Sequence, residues 1–248
     1  MKKYISIICT LAILLVLLSG CLMVSLDNFP AANAVQGTGE VVYRRFSIPE
    51  FTGIDINGDY TVVYKHSDTH GVTVIMQENL FHYLNVGVQN GILNINSGRP
   101  FRTGRTYTPI VHIYAPYLNS ISFGGSVTVE NWDKISTQTL TINAGGAING
   151  SIHVNVDILD ITVGGAADFV FTGTASSANI NLAGSGEINA ENLQTENAIV
   201  NVAGAGTVDI AVSKTLNVII AGAGTVQYIG NPRVSQSIAG VGRVRQRD

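Results

Sequence analysis

Charge is scarce in this chain, and basic charge does not dominate. Only 12% of the 248 residues are charged, and 14 Lys+Arg stand against 17 Asp+Glu, for a net charge of −3. This balance argues against nucleic-acid binding, because neutralising a phosphate backbone takes a basic face and none is visible in the sequence. Cysteine is nearly absent, with only Cys9 and Cys21; processing at Cys21 removes Cys9 and leaves no free thiol, hence no disulfide framework, thiolate metal site or cysteine nucleophile. A helical stripe of useful length is missing too. The best candidate, Gln77 to Tyr83, is too short to be stable alone. Scarce charge does not mean disorder, since 46% hydrophobic residues can offset the entropy of ordering the chain. What is plentiful is glycine, 27 of 248, above the average of roughly 7%. Glycine-rich, charge-poor sequence implies many turns between short strands.

Lys2 and Lys3 precede the 23-residue uncharged stretch Tyr4 to Leu26, the pattern of an export segment. Leu18-Ser19-Gly20-Cys21 matches a bacterial lipobox, which makes Cys21 the lipidation site and the first residue of the mature chain. Two alternatives stand beside this. The stretch is long enough to remain as an anchor across a hydrocarbon core of ~30 Å, and Ala32-Asn33-Ala34 offers a small-x-small cleavage site. The expected organisation is a lipoprotein signal peptide over 1–20, a tether over 21–38, and a β domain over 39–248, with irregular coils over 39–118 and regular coils over 119–248.

Internal repetition decides the fold. Strand-like alternation runs through Ile54-Asp55-Ile56, Val72-Thr73-Val74 and Val111-His112-Ile113, and Pro109 and Pro116 delimit a strand between them. Beyond residue 119 a glycine recurs at Gly125, Gly146, Gly165, Gly186, Gly206, Gly224 and Gly242, at spacings of 21, 19, 21, 20, 18 and 18. Four positions before each stand Ile121, Ile142, Ile161, Leu182, Val202, Ile220 and Ile238. Two positions after come Val127, Ile148, Ala167, Ile188, Val208, Val226 and Val244. Units of about 20 residues are too short for propeller blades and lack leucine-repeat grammar. The prediction is an all-β, right-handed parallel β-helix, a solenoid whose coils stack at about 4.8 Å with the apolar columns inside. A β-sandwich is the competing architecture.

Several segments resemble one family in order. Gly37-Thr38-Gly39, Arg44, Phe46 and Phe51-Thr52-Gly53-Ile54 are similar to the opening of the putative auto-transporter adhesin, head GIN domain family. So are Glu78-Asn79-Leu80, Gly91-Ile92-Leu93-Asn94-Ile95, Ala115-Pro116-Tyr117-Leu118 and the ending Gly222-Ala223-Gly224-Thr225-Val226-Gln227-Tyr228-Ile229-Gly230-Asn231-Pro232. The resemblance covers about residues 37 to 244. It implies a right-handed β-helix in a bacterial envelope protein, exported and lipid-anchored, and brings no catalytic residues.

Right-handed β-helices include polysaccharide-cleaving enzymes, whose chemistry takes clustered acids. Asp157, Asp160 and Asp168, near His153, are the one close acidic trio of the repeats, and Asp160 aligns with Thr141 and Asn181, which pairs no carboxylates. His66 and His70, four apart around Asp68, suit a metal only on a helix, and the sequence there reads as a turn. The one local basic concentration is Arg99, Phe101, Arg102, Arg105 and Tyr107, whose arginine forks and aromatic faces suit an anionic glycan or a lipid headgroup; its bland counterpart is a solvated loop. No catalytic residue, metal site or cofactor is expected. The expected function is an exported, lipid-anchored envelope protein that presents a rigid β-helix to a glycan or protein, facing away from the cytoplasm. A self-assembling scaffold and a polysaccharide-cleaving enzyme are the alternatives.

Overall fold

The computed structural model describes residues 34–103 and 107–247; Cys21, Arg105 and the export segment lie outside them. Strands run in the order β1 (Val35–Gln36), β2 (Val41–Phe46), β3 (Gly53–His66), β4 (Gly71–Gln77), β5 (Leu84–Gln89), β6 (Ile92–Ser97), β7 (Phe101–Arg102) and β8 (Ile110–Ala115). They continue as β9 (Ser120–Val129), β10 (Ile135–Ala144), β11 (Ala147–Val163), β12 (Ala166–Leu182), β13 (Ser185–Val202), β14 (Ala205–Ile220), β15 (Thr225–Ile229), β16 (Arg233–Ile238) and β17 (Arg243–Gln246). From β9 onward every strand pairing is parallel. The result is a β-solenoid of about 7 turns of about 19 residues. Antiparallel pairing, which a sandwich would need throughout, is confined to residues before β9.

The core is a set of apolar ladders. Ile121, Ile142, Ile161, Ile180, Val200 and Val218 stand in register on successive coils, each buried. A second ladder carries Phe123, Ala144, Val163, Leu182, Val202 and Ile220. These pairings correct the expected columns, which placed Leu182 over Ile161. The stacked glycines are Gly125, Gly146, Gly165, Gly184, Gly204, Gly222 and Gly240, so the predicted set runs two residues late from Gly186 onward. Inside and outside survived the slip because strand side chains alternate with a period of two, and a shift of two keeps the face. In the last coil the expected interior fails: Ile238 is 40% exposed, since no further coil covers it.

The glycine column exists for want of space. A Cβ on Gly146, Gly165, Gly184, Gly204 or Gly222 would run into the carbonyl oxygen of the glycine one coil below. The coils are held together there by backbone bonds, such as Ser185 N–H to the Gly165 carbonyl at 3.0 Å.

Residues 39–118, expected as irregular coils, combine the parallel pairs of one coil-like strand with antiparallel pairs. β3 pairs in parallel with β9 along its length, and on its other side with β6 and then β8. β8 pairs antiparallel with β4, and β4 antiparallel with β2, while β6 forms a hairpin with β5. Asn90 (φ 53°) and Gly91 (φ 74°) make the two-residue turn of that hairpin. The helical candidate Gln77 to Tyr83 becomes a 3-10 helix, Glu78–His82, whose Leu80 and Phe81 are buried in the hydrophobic core. β1, in the stretch read as tether, pairs in parallel with β7.

Candidate functional site

An open groove of about 700 Å³ runs along one corner of the solenoid. Its construction follows from the strand period. On each coil the chain turns where a buried residue sits between outward neighbours: Val156 after Asn155, Ala175 between Thr174 and Ser176, Thr195 between Gln194 and Glu196, and Val212 before Ser213. Register stacks these positions, with Asn155 over Thr174 and Val156 over Ala175, then Thr174 over Gln194 and Ala175 over Thr195, then Thr195 over Val212. The turn Ile229-Gly230-Asn231 closes the C-terminal end. At about 4.8 Å per coil, the groove is about 19 Å long.

Its floor is buried and mostly apolar, and its walls are hydroxyls, amides and a few charges. Thr174 donates its hydroxyl to Asn155 Oδ1 at 2.7 Å, and Ser213 donates to the Thr195 carbonyl at 3.3 Å. Lys214 and Glu196 form an exposed ion pair at 2.6 Å on the rim. Asp157, Ser176, Gln194 and Asn231 line the groove without a side-chain hydrogen bond to any described residue. With Glu196 paired to Lys214, Asp157 is the carboxylate of the wall left without a described partner, and no described Lys or Arg lines the groove to attract an anion. Short donors and acceptors beside a narrow apolar floor suit an uncharged, polyhydroxylated chain laid along the tube axis.

The acidic trio does not form a site. Asp157 lines the groove, Asp160 accepts a hydrogen bond from Asn179 at 2.7 Å, and Asp168 accepts from the Glu187 N–H at 3.2 Å. Asp160 stands opposite Asn179, correcting the expected alignment with Asn181. His153 bonds Thr172 Oγ1 at 2.8 Å. His70 Nε2 lies 2.9 Å from the Phe51 carbonyl, and no group of three His, Cys, Asp or Glu among the described residues is placed to hold a metal.

The basic concentration is spread over distinct roles. Tyr107 donates its hydroxyl to the Ile75 carbonyl at 2.9 Å, and burial raises its pKa, so this ring is engaged within the fold. Phe101 is half-buried and paired with Val35. Arg99 lies 5.9 Å from the centre of the Tyr83 ring, and Arg102 is exposed. Sequence reasoning missed the groove because it followed the glycine column and the two apolar columns beside it. The signal was present in the polar flanks Asn155, Thr174 and Gln194, which recur with the coil period.

Next to the groove, β13 carries three residues, Glu191 to Leu193, that have no counterpart in β14. Glu191 pairs with Arg247, whose guanidinium also lies 3.9 Å from buried Asp209. Asp209 Oδ1 has no hydrogen-bond partner, and burial, reinforced by Glu191, raises its pKa. A carboxyl whose folded pKa is raised is stabilising while protonated and loses that contribution as pH climbs through the folded value. Asp209→Asn should therefore raise stability at neutral pH, by on the order of 1 kcal/mol. Urea midpoints of the two proteins should converge as acidification protonates Asp209; a variant less stable than the parent at neutral pH would reverse the assignment.

A sequence model of the putative auto-transporter adhesin, head GIN domain family matches residues 50–232. Among solved structures, a putative adhesin from Bacteroides fragilis has a TM-score of 0.82 at 24% identity, covering 86% of this chain and 100% of its own. A putative lipid binding protein from Parabacteroides distasonis gives 0.69 at 24% identity, covering 87% and 100%. A putative adhesin from Parabacteroides merdae gives 0.61 at 20% identity, also covering 87% and 100%. At these identities the shared property is the fold. No curated protein matches the chain.

Proposed function

We propose, from the premise that the chain belongs to the putative auto-transporter adhesin, head GIN domain family, that it is an adhesin-like protein of the bacterial envelope whose corner groove binds an uncharged, extended glycan. The family assignment supports an adhesin-like, envelope-exposed role. Cys21, as the acylated first residue of the exported chain, holds it on the membrane and directs the β domain away from the cytoplasm. The observation that carries the glycan reading is the run of unengaged hydroxyl, amide and carboxylate groups at Ser176, Gln194, Asp157 and Asn231 along a buried floor. Regular coils fix such groups at strand spacing, and a repetitive polymer can meet them in register.

The test is a glycan array probed with the protein and two variants. Ser176→Arg puts a long cation into the groove, whereas Thr162→Arg puts one on an exposed outer face. Neutral glycans bound by the parent should lose about tenfold or more in affinity with Ser176→Arg, the loss of one or two ligand hydrogen bonds, and little with Thr162→Arg. Equal affinity for the parent and Ser176→Arg would move the ligand elsewhere.

A further inference from the structure

Basic residues are gathered at the two ends of the tube. Between residues 135 and 232 the sole basic residue is Lys214, among seven Asp or Glu. The two ends differ in how their arginines are used. At the C-terminal end Arg245 is bound to Gln227 Oε1 and Arg247 to Glu191, and Arg233 and Arg243 have neither a described carboxylate partner nor an aromatic ring behind them. At the N-terminal end Arg44 lies 4.4 Å from the Phe81 ring centre and Arg99 5.9 Å from that of Tyr83. Arg102 joins them through β7, whose partner β1 is tied to the 3-10 helix by the bond from Asn79 Nδ2 to the Gln36 carbonyl at 2.8 Å. All three are exposed, and none has a described carboxylate within 4.0 Å, although Glu40 and Glu78 belong to the same end. An aromatic face steadies a guanidinium and leaves its N–H groups available. Beside them the edge strand β2 exposes Val41 and Tyr43, the latter by 73%; tyrosine favours a membrane interface.

The course of the chain says what this end meets. The domain is entered here, through β1, and thirteen residues separate Val35 from Cys21, the acylated residue of the anchored reading. Thirteen extended residues reach about 47 Å at most. We infer that the N-terminal end of the tube seats on the anionic lipid headgroups of the membrane that anchors the chain, through Arg44, Arg99 and Arg102. The inference rests on the anchored reading above. Tethering makes the contact intramolecular, and each arginine near an anionic surface is worth about fivefold in occupancy.

The full chain, taken from the membrane fraction of a bacterial host, is reconstituted in phosphatidylcholine vesicles with or without phosphatidylglycerol. Backbone hydrogen exchange is then followed over residues 40–46, 78–83 and 99–103. Exchange should slow in the anionic vesicles, recover at about 1 M salt, and recover in Arg44→Gln/Arg99→Gln/Arg102→Gln but not in Arg243→Gln/Arg245→Gln. Equal exchange in both vesicle types, or equal recovery in both variants, overturns the inference. Arg99→Gln alone should recover in part, and it decides the matter if the triple variant disturbs exchange in β11–β14. Flotation with neutral vesicles reads the anchor separately, so a chain that does not float overturns the anchored reading, while charge-dependent protection is still measured with vesicles in excess.

Discussion

Gly184→Ala should cost about 2–4 kcal/mol of stability, while Gly164→Ala, twenty residues earlier in a neighbouring coil, should stay within about 0.5 kcal/mol of the parent. Both changes add one methyl group to a glycine of the same corner. At Gly184 the added carbon meets the Gly165 carbonyl oxygen, whereas at Gly164 nothing lies within 4 Å. Relief at Gly184 means parting two coils, and the bond from the Ser185 N–H to the same carbonyl would stretch with them. A side chain can turn away from a clash, but a backbone carbonyl in a stacked ladder cannot. Because each coil touches only its neighbours, the damage also splits the tube's cooperativity in the middle. Urea unfolding should show a lowered midpoint, with a reduced slope if the two halves come apart separately. Equal midpoints for Gly184→Ala and Gly164→Ala would remove steric stacking as the reason for the glycines.

This contrast also marks what can be read from sequence. The solenoid was legible because inward residues, outward residues and corner glycines recur together at about 20 residues. The register was less so. Gly184 and Gly186 both offer a glycine near the expected corner, and spacing alone cannot choose between them when coil lengths vary. The choice is made by backbone contact with Gly165, which has no signature in residue type. The N-terminal third lacks the coil period. Asn90-Gly91 between two alternating runs is a strong hairpin signal, and the antiparallel β5–β6 pair that it joins is one of the irregularities of that region. The groove went unseen because its floor, Val156, Ala175, Thr195 and Val212, has no common residue type. What recurs there is a pattern of exposure, and exposure depends on where the coil turns.

The other large effect belongs to the open C-terminal edge. β16 and β17 pair with β14 and β15 on one side, and no described strand pairs with them on the other. Such a row of free N–H and C=O groups invites another chain. On interior coils the corresponding positions are uncharged: Arg233 stands opposite Thr215, Arg243 opposite Thr225 and Arg245 opposite Gln227. Replacing the arginines by those residues, as Arg233→Thr/Arg243→Thr/Arg245→Gln, keeps β-strand chemistry while removing three charges. The variant should self-associate with concentration in sedimentation, and the parent should remain a monomer. The magnitude follows from Coulomb's law. Two like charges about 5 Å apart repel by about 0.8 kcal/mol even at the dielectric of water, and stacking one basic edge on another brings several such pairs together. The opposite end offers no escape, because its outermost strand β2 carries Arg44 and Arg45. A monomeric variant would mean that the edge is protected by geometry, and a self-associating parent would mean that charge is no barrier and would favour a scaffold over a solitary binder. The same arginines that leave no basic residue but Lys214 in the middle of the tube thus guard one terminus from its own kind, at the cost of placing repulsion where pairing would otherwise stabilise.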